Sequence, residues 1–221
     1  MKANGPRRAV LFDFDGTLAD TAPDLGGALN RLREQQALPP LPMATVRPYA
    51  SSGARGLLRI GFGLKPGDAG YEEMRQAFLA HYEAAICVDT RLFPGIADLL
   101  AQLEARNIAW GIVTNKATRY TGRLVELLGL AGRVGCVVCG DTTPHLKPHP
   151  APLLAAAAQL ALAPAQCSYV GDDLRDIQAA QAAGMASVAV EYGYHGAENG
   201  HPRSWNADAV IAQPGDLIRW L

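Results

Sequence analysis

The sequence carries no surplus of either charge. Its 221 residues include 20 Lys and Arg against 21 Asp and Glu, a formal net charge of −1. Without a basic surplus to neutralise a phosphate backbone, nucleic acid is not expected as a partner. Long apolar runs are missing too. No stretch reaches the roughly 18 residues that cross a bilayer, so no membrane partner is expected. Arg7-Arg8 are followed by only Ala9-Val10-Leu11-Phe12 before Asp13 interrupts, too short for the apolar region of an export signal. Cysteine is sparse, at Cys87, Cys136, Cys139 and Cys167. The Cys136-Val137-Val138-Cys139 spacing would suit a metal or redox pair. It has no second pair and no nearby histidine, and it reads as a buried strand. The expectation is four reduced thiols in a cytoplasmic protein. No period of 20–50 residues recurs, which excludes a solenoid.

What is present is an ordinary globular composition, 49% hydrophobic and 19% charged, sufficient for one sizeable core with a small insert. Twenty-three glycines and 15 prolines predict many tight turns. Short apolar runs alternate with amphipathic segments, the pattern of a parallel sheet covered by helices. The predicted strands are Arg8–Phe14, Ala109–Asn115, Cys136–Gly140, Cys167–Gly171, Ala186–Glu191 and Asp208–Ala212. Their continuous apolar character is that of strands buried on both faces. Helices are predicted over Pro94–Arg106, Thr118–Leu128, Pro150–Leu160 and Arg175–Ala183, the last closed by Gly184.

Between the first and second strands the pattern changes. From Asp20 to about Thr90 it is helical, with no strand signal. Leu25, Ala28, Leu29 and Leu32 share one helical face, and Tyr71, Met74, Phe78, Tyr82 and Ala85 share another. Residues 20–90 therefore read as an inserted helical domain. Residues 1–19 and 91–221 read as the α/β core. An insert at this place is either inert bulk or a lid over the end of the first strand.

Ligands of open α/β sheets bind beyond the carboxyl ends of the strands. The first strand ends in Asp13-Phe14-Asp15-Gly16-Thr17, and the second in Val113-Thr114-Asn115-Lys116. After the third comes Leu146-Lys147-Pro148-His149-Pro150, and the fourth ends in Gly171-Asp172-Asp173. Singly, these residues would suit turns, caps and a solvated lysine. Together they bring carboxylates, a hydroxyl and an ammonium to one edge. Two acids directly after an apolar run are costly to bury unless a cation compensates, and oxygen ligands suit Mg²⁺.

This set resembles the haloacid dehalogenase-like hydrolase superfamily, mostly phosphatases, along essentially the whole chain. The resemblance implies a Rossmann-like parallel sheet flanked by helices, with an inserted all-helical cap. It implies that Asp13 is the nucleophile and Asp15 the acid and base. Thr114 would bind a phosphoryl oxygen, and Lys147 would balance its charge. Mg²⁺ would be held by Asp13, the Asp15 carbonyl and Asp172, with Asp173 or Asp176 orienting a bound water or Lys147. The physics agrees, because a carboxylate attacking a phosphate monoester needs cations to offset the repulsion. Asp15 favours ester hydrolysis over dehalogenation, since an alkoxide needs a proton to leave and a halide does not. A phosphonate hydrolase of the superfamily would use a cap lysine, and the single candidate, Lys65, lies in a Pro-Gly turn.

Specificity is expected from the cap loop Ser51-Ser52-Gly53-Ala54-Arg55-Gly56. Its glycines would expose backbone N–H groups, and Arg55 would suit a carboxylate. The competing reading is a helix start with Ser52 as its cap. Asn115 is a further expected substrate contact. The long segment Tyr192–Ala207 begins at the same edge, where His195, His201 and Trp205 would serve either a ligand or loop packing. Thr114-Asn115-Lys116, Lys147-Pro148-His149-Pro150 and Tyr192-Gly193-Tyr194 resemble the phosphoglycolate phosphatase family. The Ser-Gly-Ala-Arg loop, Gly171–Ile177 and Trp205–Asp208 resemble its branch acting on N-acetylmuramic acid 6-phosphate in cell-wall recycling. The expected partner is thus a small carboxylated phosphate ester, acted on by a monomer or homodimer. A phosphosugar mutase and a non-catalytic phospho-binding module are the alternatives.

Overall fold

The computed structural model describes residues 7–221; the reading of the first six residues, within the export-signal and core-domain expectations, lies outside them. The chain enters through β1 (Ala9–Phe12) and β2 (Ala19–Asp20). It then forms α1 (Ala22–Gln35), α2 (Met43–Val46), α3 (Gly53–Phe62) and α4 (Tyr71–Ala84), and returns through β3 (Arg91–Leu92). The remainder alternates: α5 (Ile96–Ala105), β4 (Ala109–Val113), α6 (Thr118–Leu127), β5 (Cys136–Val138), α7 (Ala151–Gln159), β6 (Cys167–Gly171), α8 (Leu174–Ala183), β7 (Ala186–Val190), β8 (Ala209–Ile211) and α9 (Leu217–Trp220).

Six strands form one parallel sheet in the order β5-β4-β1-β6-β7-β8. The chain builds outward from β1 on one side, then crosses to β6 on the other. That reversal creates a crevice at the carboxyl ends of β1 and β6, the place where doubly wound sheets bind ligands. The central strands are apolar because both faces are covered. Val10, Leu11, Phe12, Val170 and Val188 are fully buried, each contributing roughly 1.5–3 kcal/mol. Several predicted strands run one or two residues too far, because their last residues have left the ladder to form the site.

The helical block lies between β2 and β3, a pair of short strands for which the sequence carried no signal. β2 and β3 pair antiparallel, Ala19 with Leu92 and Asp20 with Arg91. This two-residue ribbon ties entry to exit and is too short for periodicity to reveal. Asp24 of α1 secures the same junction. Its buried carboxylate accepts bonds from the Asp89 and Thr90 N–H groups and the Thr90 hydroxyl, at 2.7–3.2 Å. Within the block, α3 lies against α1 at Gly61, where a Cβ would meet Leu29 Cδ1 at 2.6 Å. The buried Arg33 guanidinium donates to the carbonyls of Gly61 and Pro39. The apolar core continues from the sheet through Phe14, Leu18 and Leu25 into Leu57, Phe78 and Tyr82 of the block.

The cysteines are free thiols; Cys136, Cys139 and Cys167 are buried. No helix among the described residues is long and apolar enough to cross a membrane. Lys65 is exposed in its turn.

Candidate active site

At the end of β1 the chain turns sharply, and Gly16 has φ +87°. A Cβ there would also meet Asp172 Oδ2 at 2.2 Å, so glycine lets the turn after Asp13 close onto the loop after β6. One carboxylate oxygen each from Asp13, Asp172 and Asp176 lies within 4.8 Å of the others, all three residues being buried. Such crowding is unfavourable unless positive charge offsets it. Burial, with the Asp13 and Asp176 charges, raises the Asp172 carboxyl well above its usual range, against hydrogen bonds from the Tyr194 N–H and the Thr17 hydroxyl. Burial likewise pushes Asp176 up to about 7, opposed by Lys147.

Lys147 supplies one cation. Its Nζ lies 2.8 Å from both Asp13 Oδ1 and Asp176 Oδ1, and it donates to Tyr169 Oη and the Val113 carbonyl at 2.7 and 3.1 Å. Burial would strip its proton, but the Asp13 and Asp176 charges outweigh that and raise its pKa. Both Asp176 oxygens are engaged, by Lys147 Nζ and the Asp173 N–H. Asp13 Oδ1, also buried, meets the Lys147 ammonium alone, without a well-aligned hydrogen bond. Three buried carboxylates thus share one ammonium, and their clustered oxygens are the donor chemistry of a hard divalent cation, so the residues present fit one.

The expected site residues converge. Asp13, Asp15, Ser52, Gly53, Arg55, Thr114, Asn115, Lys147, Asp173 and Asp176 line one cavity of about 540 Å³, and Asp172 abuts it through the carboxylate cluster. The Asp15 side chain stands outside that cluster. Its Oδ1 accepts from the Thr21 hydroxyl at 2.5 Å, and both oxygens accept from Lys116 Nζ at 3.0 and 3.1 Å. Thr114 is buried at the carboxyl end of β4, its N–H bonded to the Val138 carbonyl. Asn115 was expected to touch substrate. It lines the cavity, but its amide bonds the backbone of Lys147 in both directions, at 2.9 and 3.0 Å. Of the two acids expected near Lys147, Asp176 contacts it. Asp173 instead caps α8 and pairs with Arg175 at 2.8 Å.

Ser52 holds the N-cap position of α3 without a side-chain cap bond, and Gly53 has φ +54° with open space beside it. Arg55 is exposed at the cavity rim. Tyr71, Phe78 and Tyr82 from α4 and Tyr120 from α6 form an aromatic part of the lining, to which a second arginine, Arg75, also belongs. Within the segment 192–207, His195 packs against both His201 and Trp205. Trp205 also donates to the Asn199 carbonyl.

A haloacid dehalogenase-like hydrolase family model matches residues 10–190. The chain belongs to that family. It is 41% identical over 210 residues to the N-acetylmuramic acid 6-phosphate phosphatase of Pseudomonas putida, covering 95% of this chain and 94% of that one. It is 43% identical, with the same coverage, to a phosphoglycolate phosphatase of Xanthomonas campestris. The crystal structure of a predicted phosphoglycolate phosphatase from Haemophilus somnus superposes with a TM-score of 0.87 at 26% identity, covering 99% of each chain. The chain is a phosphatase-type member of the family.

Several side chains of this hydrolase site had no role assigned to them from sequence. Tyr169 and Thr17 hold Lys147 and Asp172. Tyr194 donates its N–H to Asp172. Its hydroxyl donates to Asp20 and accepts from the N–H groups of Thr21 and Ala22. Lys116 holds Asp15. For Tyr169 a signal existed: a polar-tipped ring in a strand buried on both faces needs a partner for its hydroxyl. For Tyr194 and Lys116 none did, because their partners lie far away in sequence.

Proposed function

We propose that this chain is a Mg²⁺-dependent phosphatase of a carboxylated sugar phosphate, N-acetylmuramic acid 6-phosphate in preference to 2-phosphoglycolate. The observation that carries the preference is the cavity. Its floor has a nucleophile, a cation and a hydroxyl, sized for a phosphoryl group. Its remaining space, within the range that encloses drug-sized ligands, has an aromatic wall and an arginine at the rim. A two-carbon ester would leave most of that wall untouched. A pyranose would fill the space in front of it and present its carboxylate to Arg55. The names of the relatives divide between these two substrates.

Residues 20–90 act as the cap over this floor, with 1–19 and 91–221 as the catalytic core. Asp13 attacks phosphorus, forming an aspartyl phosphate as the bond to the leaving oxygen breaks. Asp15 gives that oxygen its proton, releasing the alcohol. Asp15 then takes a proton from water, whose oxygen attacks phosphorus. The bond to Asp13 breaks and inorganic phosphate leaves. Thr114 donates to a phosphoryl oxygen, and Lys147 balances its charge. Asp13, the Asp15 carbonyl and Asp172 would hold Mg²⁺, which when bound neutralises phosphoryl charge. Asp176 fixes Lys147, Asp173 holds Arg175, and Asn115 fixes the Lys147 backbone.

The test is phosphate release from a panel of monoesters with and without Mg²⁺, in wild type and Asp13→Asn. The expected kcat/KM is highest for N-acetylmuramic acid 6-phosphate. Asp13→Asn should lose more than about 10⁴-fold, the scale of removing a covalent nucleophile. Transfer to a second sugar without phosphate release would indicate a mutase. No turnover of any ester would indicate a binding module. A higher kcat/KM for 2-phosphoglycolate would reverse the substrate preference.

A further inference from the structure

Lys116 has no part in the scheme above, yet its placement is unusual. Its ammonium is nearly buried, 8% exposed, and it reaches both oxygens of Asp15 from the loop after β4. Its own backbone is fixed, since its N–H donates to Thr114 Oγ1 at 3.2 Å. Above it sits the Tyr82 ring of α4, with Nζ 4.8 Å from the ring centroid. Tyr82 is 1% exposed and packs on Tyr120 of α6 with ring centroids 5.6 Å apart. The Asp15 carboxylate thus has two donors from outside its own turn. One is Thr21, directly after the β2 ribbon strand. The other is Lys116, seated beneath a ring of the helical block.

We infer that Lys116 is a positioning residue for Asp15, aligned by Tyr82 only when the cap lies over the core. The inference rests on Asp15 being the acid and base of the proposed reaction. A carboxyl group transfers a proton well only from within hydrogen-bond reach of the leaving oxygen. An aspartate at the cavity edge would otherwise sample several rotamers. A two-point ammonium contact beside a hydroxyl removes that freedom. Tyr82 adds a cation–π contact, strongest where water is excluded. With the cap displaced, Lys116 would face solvent and the clamp would loosen. Proton donation would then be tied to enclosure of the substrate.

The test compares phenyl phosphate with p-nitrophenyl phosphate, esters of similar shape whose leaving groups differ in their need for a proton. The readout is the ratio of their kcat/KM values, p-nitrophenyl over phenyl. That ratio reports the transfer step and does not depend on the fraction of protein folded. Asp15→Asn should raise it by about 10-fold or more, part of the 10²–10⁴ that acid catalysis contributes. Lys116→Met should raise it similarly, and Lys116→Arg, which keeps the charge, should raise it less. Tyr82→Leu should raise it by about 3- to 10-fold, the scale of a partly desolvated cation–π contact. If Asp15→Asn raises the ratio and Lys116→Met leaves it within twofold of wild type, the role of Lys116 is overturned and the reaction scheme stands. If Asp15→Asn also leaves it unchanged, the assignment of Asp15 falls, and the role of Lys116 with it.

Discussion

The floor and the roof of the cavity are built on opposite principles. The floor is made of charged residues at the ends of β1, β4 and β6 and in the loop after β5, largely buried and tied together by ion pairs and hydrogen bonds. Lys147 is 4% exposed and Asp172 is fully buried. The roof is made of helix faces: aromatic rings, Gly53 and arginines that reach into solvent. Chemistry on a phosphoryl group varies little with the rest of the substrate, so the floor can be rigid. Recognition of the remainder depends on shape, and helices docked through an apolar face can change shape without disturbing the sheet.

The sharpest way to break this contrast is to remove the compensating charge from the floor. Three crowded carboxylates need more positive charge than Lys147 provides. Chelation should therefore abolish phosphate release, with recovery on adding Mg²⁺. Saturating Mg²⁺ should also raise the melting temperature by about 5 °C or more, from roughly 2.7 kcal/mol of binding linkage at a hundredfold excess over Kd. Asp172→Asn should lose both responses. Full activity in chelator, together with a melting curve indifferent to Mg²⁺, would end the metal assignment.

A smaller effect is expected at the roof. Arg55 lines the cavity from α3, and among the described residues no hydrogen bond or ion pair ties its side chain to the floor. Arg55→Ala should lower kcat/KM for carboxylated esters by about 10- to 100-fold, the worth of a charge-assisted hydrogen bond. The loss on p-nitrophenyl phosphate should be only a few-fold. Equal losses on both substrates would mean that Arg55 supports the fold of the loop and not recognition.

The same contrast explains what could be read from sequence. Asp13, Asp15, Thr114, Lys147 and Asp172 stand near the ends of successive strands, and a parallel sheet gathers its strand ends by topology alone. The strand order then put the β1 and β6 carboxylates side by side. Side-chain partnerships were not legible. The amide of Asn115 turns to Lys147, 32 residues on, and nothing in Thr114-Asn115-Lys116 distinguishes that from a substrate contact. Lys116 reaches Asp15 across 101 residues. Tyr194 reaches Asp20 across 174, within a segment where His195 packs against His201 and Trp205. The β2–β3 ribbon has two residues per strand, below the length at which alternation carries information.

The smallest expected effects lie where floor and roof join, and they separate buried from exposed contacts within a single segment. The Tyr194 hydroxyl satisfies the N–H groups of Thr21 and Ala22 at 2.7 and 2.9 Å while donating to Asp20. Tyr194→Phe would strand buried donors at about 1–3 kcal/mol, and the melting temperature should fall by about 2–4 °C for each of those kilocalories. Four residues on, Glu198 pairs with Arg59 of α3 at 2.6 Å, with the glutamate side chain 71% exposed. Water screens such a pair, and ordering two long side chains offsets what attraction remains. Glu198→Ala should therefore leave the melting temperature and kcat/KM within experimental scatter. A large loss in Glu198→Ala with none in Tyr194→Phe would mean that the roof is held by its exposed charges. The division between a bonded floor and an adaptable roof would then have to be redrawn along the 196–199 loop.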